Sequence, residues 1–494
     1  MANHLENIRH TLKWLEDRDE LITIDREIDP RFEISGLAKE LDNGPPLLFR
    51  NLKGHPGKCV TAGLFSRLDR LAAMFGASDA GIGLKRRGID AARNPVPARA
   101  VANAPCQEIV RLGPIDVRDE IPITTHTMTD PGPILSGGVV LLRGPGSATD
   151  VSFKRIRFQG PDWASMFHVP GTHSAQILEH YAARKLRLPL TINISPPPAV
   201  LVVAAGGLIQ DLLPFESDEL GVAGALGGAP VAICPARTVD AYAIAESEWV
   251  IEGYVDTAQL VAESAAAASP DPAPFFPEYH GYLGRAQTTY RFQATAVTRR
   301  GENPINYAPL AHSFESPNMQ VITNRALQLA WLWERWPELV RDINSLPGMK
   351  GRFGMVVQVR KGGEADDPAV RELIRAVFER LGALRMVVAV DDDVDIYDSD
   401  EVLWALATRM NAERDMVQLP PAGGPAGIRK ETAGPFAAVA RLGFDATMPF
   451  SHRREFDRGQ YPRVEPERWL SPSQIARVRS MQSDYARLLS SIKA

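Results

Sequence analysis
The apolar residues of this 494-residue chain are spaced in two different ways, and no single type of sheet accommodates both. From about Glu108 to about Thr298 they alternate in short runs: Gly138 to Arg143, Asp150 to Phe158, Leu190 to Ile194, Val200 to Ala204, Pro230 to Ile233 and Trp249 to Val255. One helical stretch, Ser174 to Arg184, interrupts them. Alternation with period two marks strands buried on one face, so a β-barrel-like domain carrying an inserted helix is expected here. After Ile322 the strands Gly354 to Val359 and Met386 to Val390 are apolar almost throughout, and helical repeats such as Arg325 to Trp336 and Ala369 to Leu381 separate them. That is the pattern of βαβ units around a sheet covered on both faces.

The N-terminal stretch opens a third unit. His4 to Glu16 carries Leu5, Ile8, Leu12 and Leu15 at helical spacing, and Leu21 to Ile24 follows as a strand. Ile34 to Leu41 and Ser66 to Phe75 read as helices on either side of a short strand, Pro46 to Phe49. The proline-rich stretch from Arg93 to Pro105 reads as a boundary. A mixed α/β fold in three domains is expected, an α/β domain at 1–107, a barrel-like domain at 108–310 and a second α/β domain at 311–494. The last ends in a helix, Ser471 to Ala494, with Pro472 at its first position and an apolar stripe of Ile475, Val478, Met481, Tyr485, Leu488 and Leu489. That stripe needs cover, either from a second subunit or from the helix's own domain.

A net charge of -5 argues against a broad nucleic-acid surface. Three cysteines, Cys59, Cys106 and Cys234, form no metal-type spacing and no even set for a disulfide framework, which fits a reducing compartment. The first residues are charged throughout, and the apolar run from Ala199 is shorter than the ~20 residues of a membrane helix. A cytoplasmic protein without nucleic-acid or membrane partners is therefore expected.

Within the barrel region, Asp150 to Phe158 (DVSFKRIRF) changes phase. Val151 and Phe153 share one parity and Ile156 and Phe158 the other, with the slip at Lys154 and Arg155. A bulge that re-aims Arg155 is one reading, and an edge strand with two solvated bases is the other. The glycine-rich GVAGALGG from Gly221 lacks the order and context of a dinucleotide fingerprint. Asp391, Asp393 and Asp395 begin a calcium-loop rhythm, but Ile396 stands where Gly is required and Val402 where a bidentate Glu is required.

The stretch containing those aspartates, MVVAVDDDVDIYDSDEVLWALATRM (Met386 to Met410), resembles the C-terminal signature of the UbiD family of prenylated-FMN-dependent decarboxylases. FEISGLAKEL (Phe32 to Leu41), ESEWVIEGYV (Glu246 to Val255), PEYHGYLG (Pro277 to Gly284) and ARLGFDATMP (Ala440 to Pro449) are similar to further family segments in the same order. The resemblance implies that the middle domain is a flavin-reductase-like split barrel. It would hold prenylated FMN through its phosphate by Mn²⁺ or Mg²⁺, with K⁺ nearby. The metal ligands it implies are Asp150, His168 and Glu219, with Glu216 as the alternative to the last. It implies cofactor contacts from Ser152, Phe153, Lys154, Arg155, Phe167, His168 and Arg441. Arg155 would orient the substrate carboxylate, and Glu278 would be the proton donor, its pKa raised by Phe275, Phe276, Pro277 and Tyr279, with Asp271 and His280 next in line.

Three departures stand out. The family's second Glu, five residues before the donor, is Ala273 here, so either Asp271 reaches in or the network shrinks to Arg155 and Glu278. Asp150 replaces an Asn, and Arg441 a Lys. The segment Arg299 to Met319 differs from the usual family text. The activity implied is a non-oxidative decarboxylase, reversible as a carboxylase, of an aromatic, heteroaromatic or α,β-unsaturated acid. An aromatic acid CoA thioester as substrate, or a flavin-binding protein without decarboxylase activity, are the alternatives. A flavin prenyltransferase would supply the cofactor, and a homodimer or hexamer is expected.

Overall fold
The largest sheet has eight strands, and the two ends of its hydrogen-bonded path are adjacent in sequence. The path runs Thr149–Phe153, Gly138–Arg143, Leu188–Ile194, Trp249–Ala262, Thr288–Arg299, Trp163–Met166 and Ile156–Phe158, all antiparallel, with Ile109–Leu112 added to Thr288–Arg299. Only Lys154 and Arg155 separate the first strand of this path from the last. The sheet must therefore curl until its ends meet, giving a half-barrel. Register shifts between Glu252 and Gly253 and between Asp256 and Leu260 bend the long central pair. Gly253 is needed at the first, because a Cβ there would collide with the Gln293 carbonyl.

The phase slip in DVSFKRIRF is thus neither a bulge in one strand nor a solvated edge. It is the crossing between two strands that pair with different partners. The half-barrel has two apolar sides. Val139, Leu141 and Val151 pack against the helices Pro198–Ala205 and Glu219–Gly227, while Val140, Leu142, Ile156 and Phe158 face an interior closed by the His173–Ala183 helix. Val200 to Ala204, expected as a strand, belongs to the first of those helices, which starts at Pro198 and is buried all round. A wholly apolar run has no period by which to tell the two apart.

In this computed structural model, which describes residues 3–144, 149–206, 213–268, 274–423, 438–459 and 461–492, Met1–Thr447 form one compact unit and Met448–Ala494 another. The N-terminal sheet, Ile22–Ile24, Leu47–Phe49 and Cys59–Ala62, is completed by Ile305–Tyr307, which comes from beyond the half-barrel. The C-terminal sheet orders Val340–Asn344, Gly354–Val359, Met386–Asp391, Ala438–Ala446 and Met416–Gly423, the middle three parallel. The Asp366–Arg380 helix covers Val357, Val387 and Ala389, and the Ser399–Arg409 helix covers Val356, Val388 and Val390. Cover on both faces is why these strands read as unbroken apolar blocks.

In the second unit the Pro472–Ile492 helix follows two short 3-10 turns. The stripe on that helix is described as far as Met481, and the side chains of Tyr485, Leu488 and Leu489 lie outside the described residues. No helix among the described residues is long and apolar enough to cross a membrane.

Candidate active site
Arg155 sits at the crossing where the half-barrel closes, and its guanidinium is claimed by two carboxylates. Nε and Nη2 donate to Oε1 and Oε2 of Glu263 at 2.7 and 2.6 Å, and Nη1 donates to Oε1 of Glu278 at 2.7 Å. The Phe167 and Phe275 rings lie 5.2 and 4.9 Å from the guanidinium carbon. Glu263 is buried and also accepts from the Gln287 amide at 2.7 Å, so it is fixed by the sheet. Glu278 is 28 % exposed, at a tight turn where its carbonyl accepts from the amide of Gly281, a left-handed residue at φ +93. One carboxylate of the pair is buried and the other is partly exposed. Tyr279 stacks on the Phe353 ring at 5.7 Å, and the Arg352 guanidinium carbon lies 4.9 Å from its ring centre.

A second carboxylate does pair with Arg155 besides Glu278. It is Glu263, carried to Arg155 because the Trp249–Ala262 strand runs seven residues past Val255, its expected end. Asp271 and Ala273 lie outside the described residues. His280 is buried in the turn, its Nδ1 accepting from the Tyr282 amide.

On the other strand of the crossing, ligand atoms of Asp150, His173 and Glu219 lie within 4.8 Å of one another, all three residues buried. His173 and Glu219 are each the first residue of a helix, capped by Thr172 and Asp218. Glu219 accepts from the Val151 amide at 2.7 Å and contacts His173 Nδ1 at 3.2 Å, while Asp150 accepts from the Ser152 hydroxyl at 2.6 Å. Burial pushes the Glu219 carboxyl up to about 7, with the neighbouring Asp150 charge adding to it against the His173 contact. The bond to Glu219 raises His173.

The histidine that joins Asp150 and Glu219 is therefore His173, not His168. His168 lies five residues earlier, in the stretch between the Trp163–Met166 strand and the helix, with both ring nitrogens buried and without a hydrogen-bond partner. Burial and the adjacent Lys154 hold it well below the usual imidazole range. Lys154 is buried and donates to Ser174 Oγ at 2.5 Å; burial lowers its pKa, and Asp150 and Glu219 oppose that. Glu216 is exposed and takes no part in the cluster. Phe153 packs into the core on the Val151 side. Arg441 is not brought to this group either. Its Nη1 donates to the Phe378 carbonyl at 2.7 Å, on the helix of the C-terminal sheet.

Two buried carboxylates beside an imidazole repel each other unless a cation sits among them, and hard oxygen donors with one nitrogen suit Mn²⁺ or Mg²⁺. The unpartnered His168 nitrogens beside Lys154 fit a polar group bound next to that cation. The residues present thus fit a metal-bridged anionic cofactor.

Known proteins share this architecture. Models of the N-terminal, Rift-related and C-terminal domains of 3-octaprenyl-4-hydroxybenzoate carboxy-lyase (UbiD) match residues 12–85, 99–311 and 318–446. The gallate decarboxylase of Lactiplantibacillus plantarum is 30% identical over 470 residues, covering 89% of this chain and 93% of its own. The apo 3,4-dihydroxybenzoic acid decarboxylase of Enterobacter cloacae superposes with a TM-score of 0.84 at 27% identity, covering 94% of this chain and 98% of its own. The UbiD-class enzyme HmfF of Pelotomaculum thermopropionicum, in complex with FMN, gives 0.84 at 28% identity, covering 94% and 100%. Its evolved dimeric form in complex with prFMN gives 0.82 at 27% identity, covering 95% and 100%.

Proposed function
The chain belongs to the UbiD family of carboxy-lyases, and from that premise we propose that it is a non-oxidative, prenylated-FMN-dependent decarboxylase of an aromatic carboxylic acid. The observation that carries this reading is Arg155 held between a buried, fixed Glu263 and a partly exposed Glu278. Gallate and 3,4-dihydroxybenzoate decarboxylases among the relatives favour an aromatic substrate, and the HmfF complexes favour the flavin. Glu263 also removes the reason to prefer a flavin-binding protein without activity, since the arginine keeps both carboxylates.

In this reading the half-barrel is the flavin-reductase-like split barrel. Asp150, His173 and Glu219 would hold Mn²⁺ or Mg²⁺, and the cation, with K⁺, would serve to bind the anionic end of the flavin. A flavin prenyltransferase supplies the cofactor, which when bound provides the electron sink that lets a carbon–carboxylate bond break. The chain's own residues do the rest. Arg155 pairs with the substrate carboxylate, and Glu263 keeps the guanidinium in the required plane. Phe167 and Phe275 keep water from the arginine. Once CO₂ has departed, Glu278 delivers a proton to the carbon it left and is reprotonated from solvent through its exposed side; in carboxylation it takes that proton away.

Glu278→Gln keeps the size of the side chain and removes the transferable proton. The variant should bind flavin and Mn²⁺ as the unaltered chain does, yet release CO₂ from a panel of aromatic acids ~10²- to 10⁴-fold more slowly. It should also fail to exchange the product's ring hydrogen with D₂O. Turnover and exchange within a few-fold of the unaltered chain would remove Glu278 from the reaction.

A further inference from the structure
Glu263 stands one residue past the end of the Trp249–Ala262 strand, on an overhang that has a strand on only one side. Pairing with Leu188–Ile194 stops at Val255, and Leu260 to Ala262 are paired with Tyr290 to Thr288 alone. A strand end with an open edge frays readily, yet Glu263 has to hold two donors of Arg155 in one plane. The open side is met by side chains instead of a strand. Arg155, Arg157 and Gln159 are alternate residues, each half-buried, and the residues between them, Ile156 and Phe158, are buried in the barrel. Arg155 takes the Glu263 carboxylate, Arg157 Nη1 donates to the Glu263 carbonyl at 2.7 Å, and Gln159 Nε2 donates to the Ala262 carbonyl at 2.8 Å. The other fork of Arg157, Nη2, donates to the Pro131 carbonyl at 3.1 Å. On the strand side the Glu263 amide donates to the Gln287 carbonyl at 2.9 Å, and the Gln287 amide donates to Glu263 Oε2 at 2.7 Å. The amide, the carbonyl and both carboxylate oxygens of Glu263 thus all have partners.

Resting on the decarboxylase reading above, we propose that Arg157, assisted by Gln159, is a positioning residue for the reaction: it clamps the strand overhang so that Glu263 fixes the plane of the Arg155 guanidinium. The arginine then keeps its orientation when Glu278, its other partner, gives up a proton. Arg157 touches no reacting atom and acts only through the Glu263 main chain. An arginine suits the place because its planar fork reaches two carbonyls, of Glu263 and Pro131, at once.

The test uses the full chain loaded with prenylated FMN and MnCl₂, with two readouts: CO₂ release from a panel of aromatic acids that includes gallate and 3,4-dihydroxybenzoate, and hydrogen–deuterium exchange by mass spectrometry. Arg157→Met should lower kcat about 10- to 100-fold and leave KM little changed, because a carboxylate still pairs with the guanidinium but is held out of line. Peptides carrying the Glu263 and Gln287 amides should exchange faster, and those carrying Asp150, His173 and Glu219 should not. In a Glu263→Gln background the same substitution should cost little more, since the group it acts through is already altered. An equal loss of kcat in both backgrounds, a rise in KM alone, or unchanged exchange at Glu263 and Gln287 would each overturn the proposal. If Arg157→Met fails to fold by circular dichroism, Gln159→Leu, which removes only the bond to the Ala262 carbonyl, must show the same pattern at smaller size; a silent Gln159→Leu would then make the clamp purely structural and overturn the proposal too. Should the unaltered chain release CO₂ from no acid of the panel, the decarboxylase reading falls and takes the catalytic role of Arg157 with it, whereas the exchange result decides by itself whether Arg157 holds Glu263.

Discussion
A buried carboxyl beside a second carboxylate resists ionisation, and Glu219 is so placed: burial, with Asp150 adding to it, brings it to about 7 from its ordinary 4.5. Between those values the folded, metal-free chain keeps a proton that the unfolded chain has released. The stability of the metal-free protein should therefore fall as pH rises through that window. A bound cation takes the proton's place, so stabilisation by Mn²⁺ should grow over the same window. Melting temperatures with MnCl₂ and with EDTA, from about pH 5 to about pH 8, measure the difference; an increment independent of pH would show that Glu219 is not a ligand. Asp150, Glu219, Arg155 and Glu278 were named through the family segments they stand in, and the structure gathers the first two into one carboxylate cluster and pairs the last two. His173 and Glu263 were not legible in this way. Two histidines five residues apart can be told apart only by which begins the capped helix, and the sequence signal for that is Thr172 followed by a helical repeat. Glu263 depended on how far a strand continued past its alternating part.

At the scale of elements, most strands and helices follow from the spacing of apolar residues, whereas close packing between them does not. The Ile82–Arg93 helix crosses the segment Val321–Arg335, where a wide π-type turn precedes a regular helix, and Gly88 lies at the contact. A Cβ on Gly88 would overlap the Ile322 carbonyl and press on Ala326. Gly88→Ala should thus destabilise the fold by ~1–3 kcal/mol despite the better helix propensity of alanine, seen as a lower urea midpoint. The same helix places Lys85, fully buried, 2.6 Å from both Asp342 Oδ1 and the Tyr397 hydroxyl, which ties it to the C-terminal sheet. Nothing in the helical repeat of Ile82 to Arg93 announces a buried lysine, because its partners lie more than 250 residues away, with |i−j| of 257 and 312. Lys85→Met would leave Asp342 buried beside Tyr397 without its cation, and a loss of ~3–5 kcal/mol is expected from chemical denaturation.

For the whole molecule, the N-terminal sheet borrows Ile305–Tyr307 from beyond the half-barrel, a contribution that the expected three-part division does not contain. Three residues are too few to carry a periodic signal of their own. The second compact unit raises a different question. Within a single chain its Tyr461, Val464, Trp469, Val478 and Met481 are exposed, Trp469 by 77% and Met481 by 62%. Apolar side chains of this size gain ~1.5–3 kcal/mol each when fully buried, so together they are comparable with the ~4–15 kcal/mol that association costs. A second copy of the chain or the chain's own first unit is the expected cover, and the first of these is tested by oligomeric mass. Val478 and Met481 lie three residues apart on one helix and share a face, so the double substitution Val478→Lys, Met481→Lys would set charges into any interface there. Since both side chains are exposed in the single chain, the substitution should leave its circular dichroism unchanged. It should lower the mass measured by light scattering to that of a monomer, whereas an unaltered oligomeric mass would place the contact between copies elsewhere on the molecule.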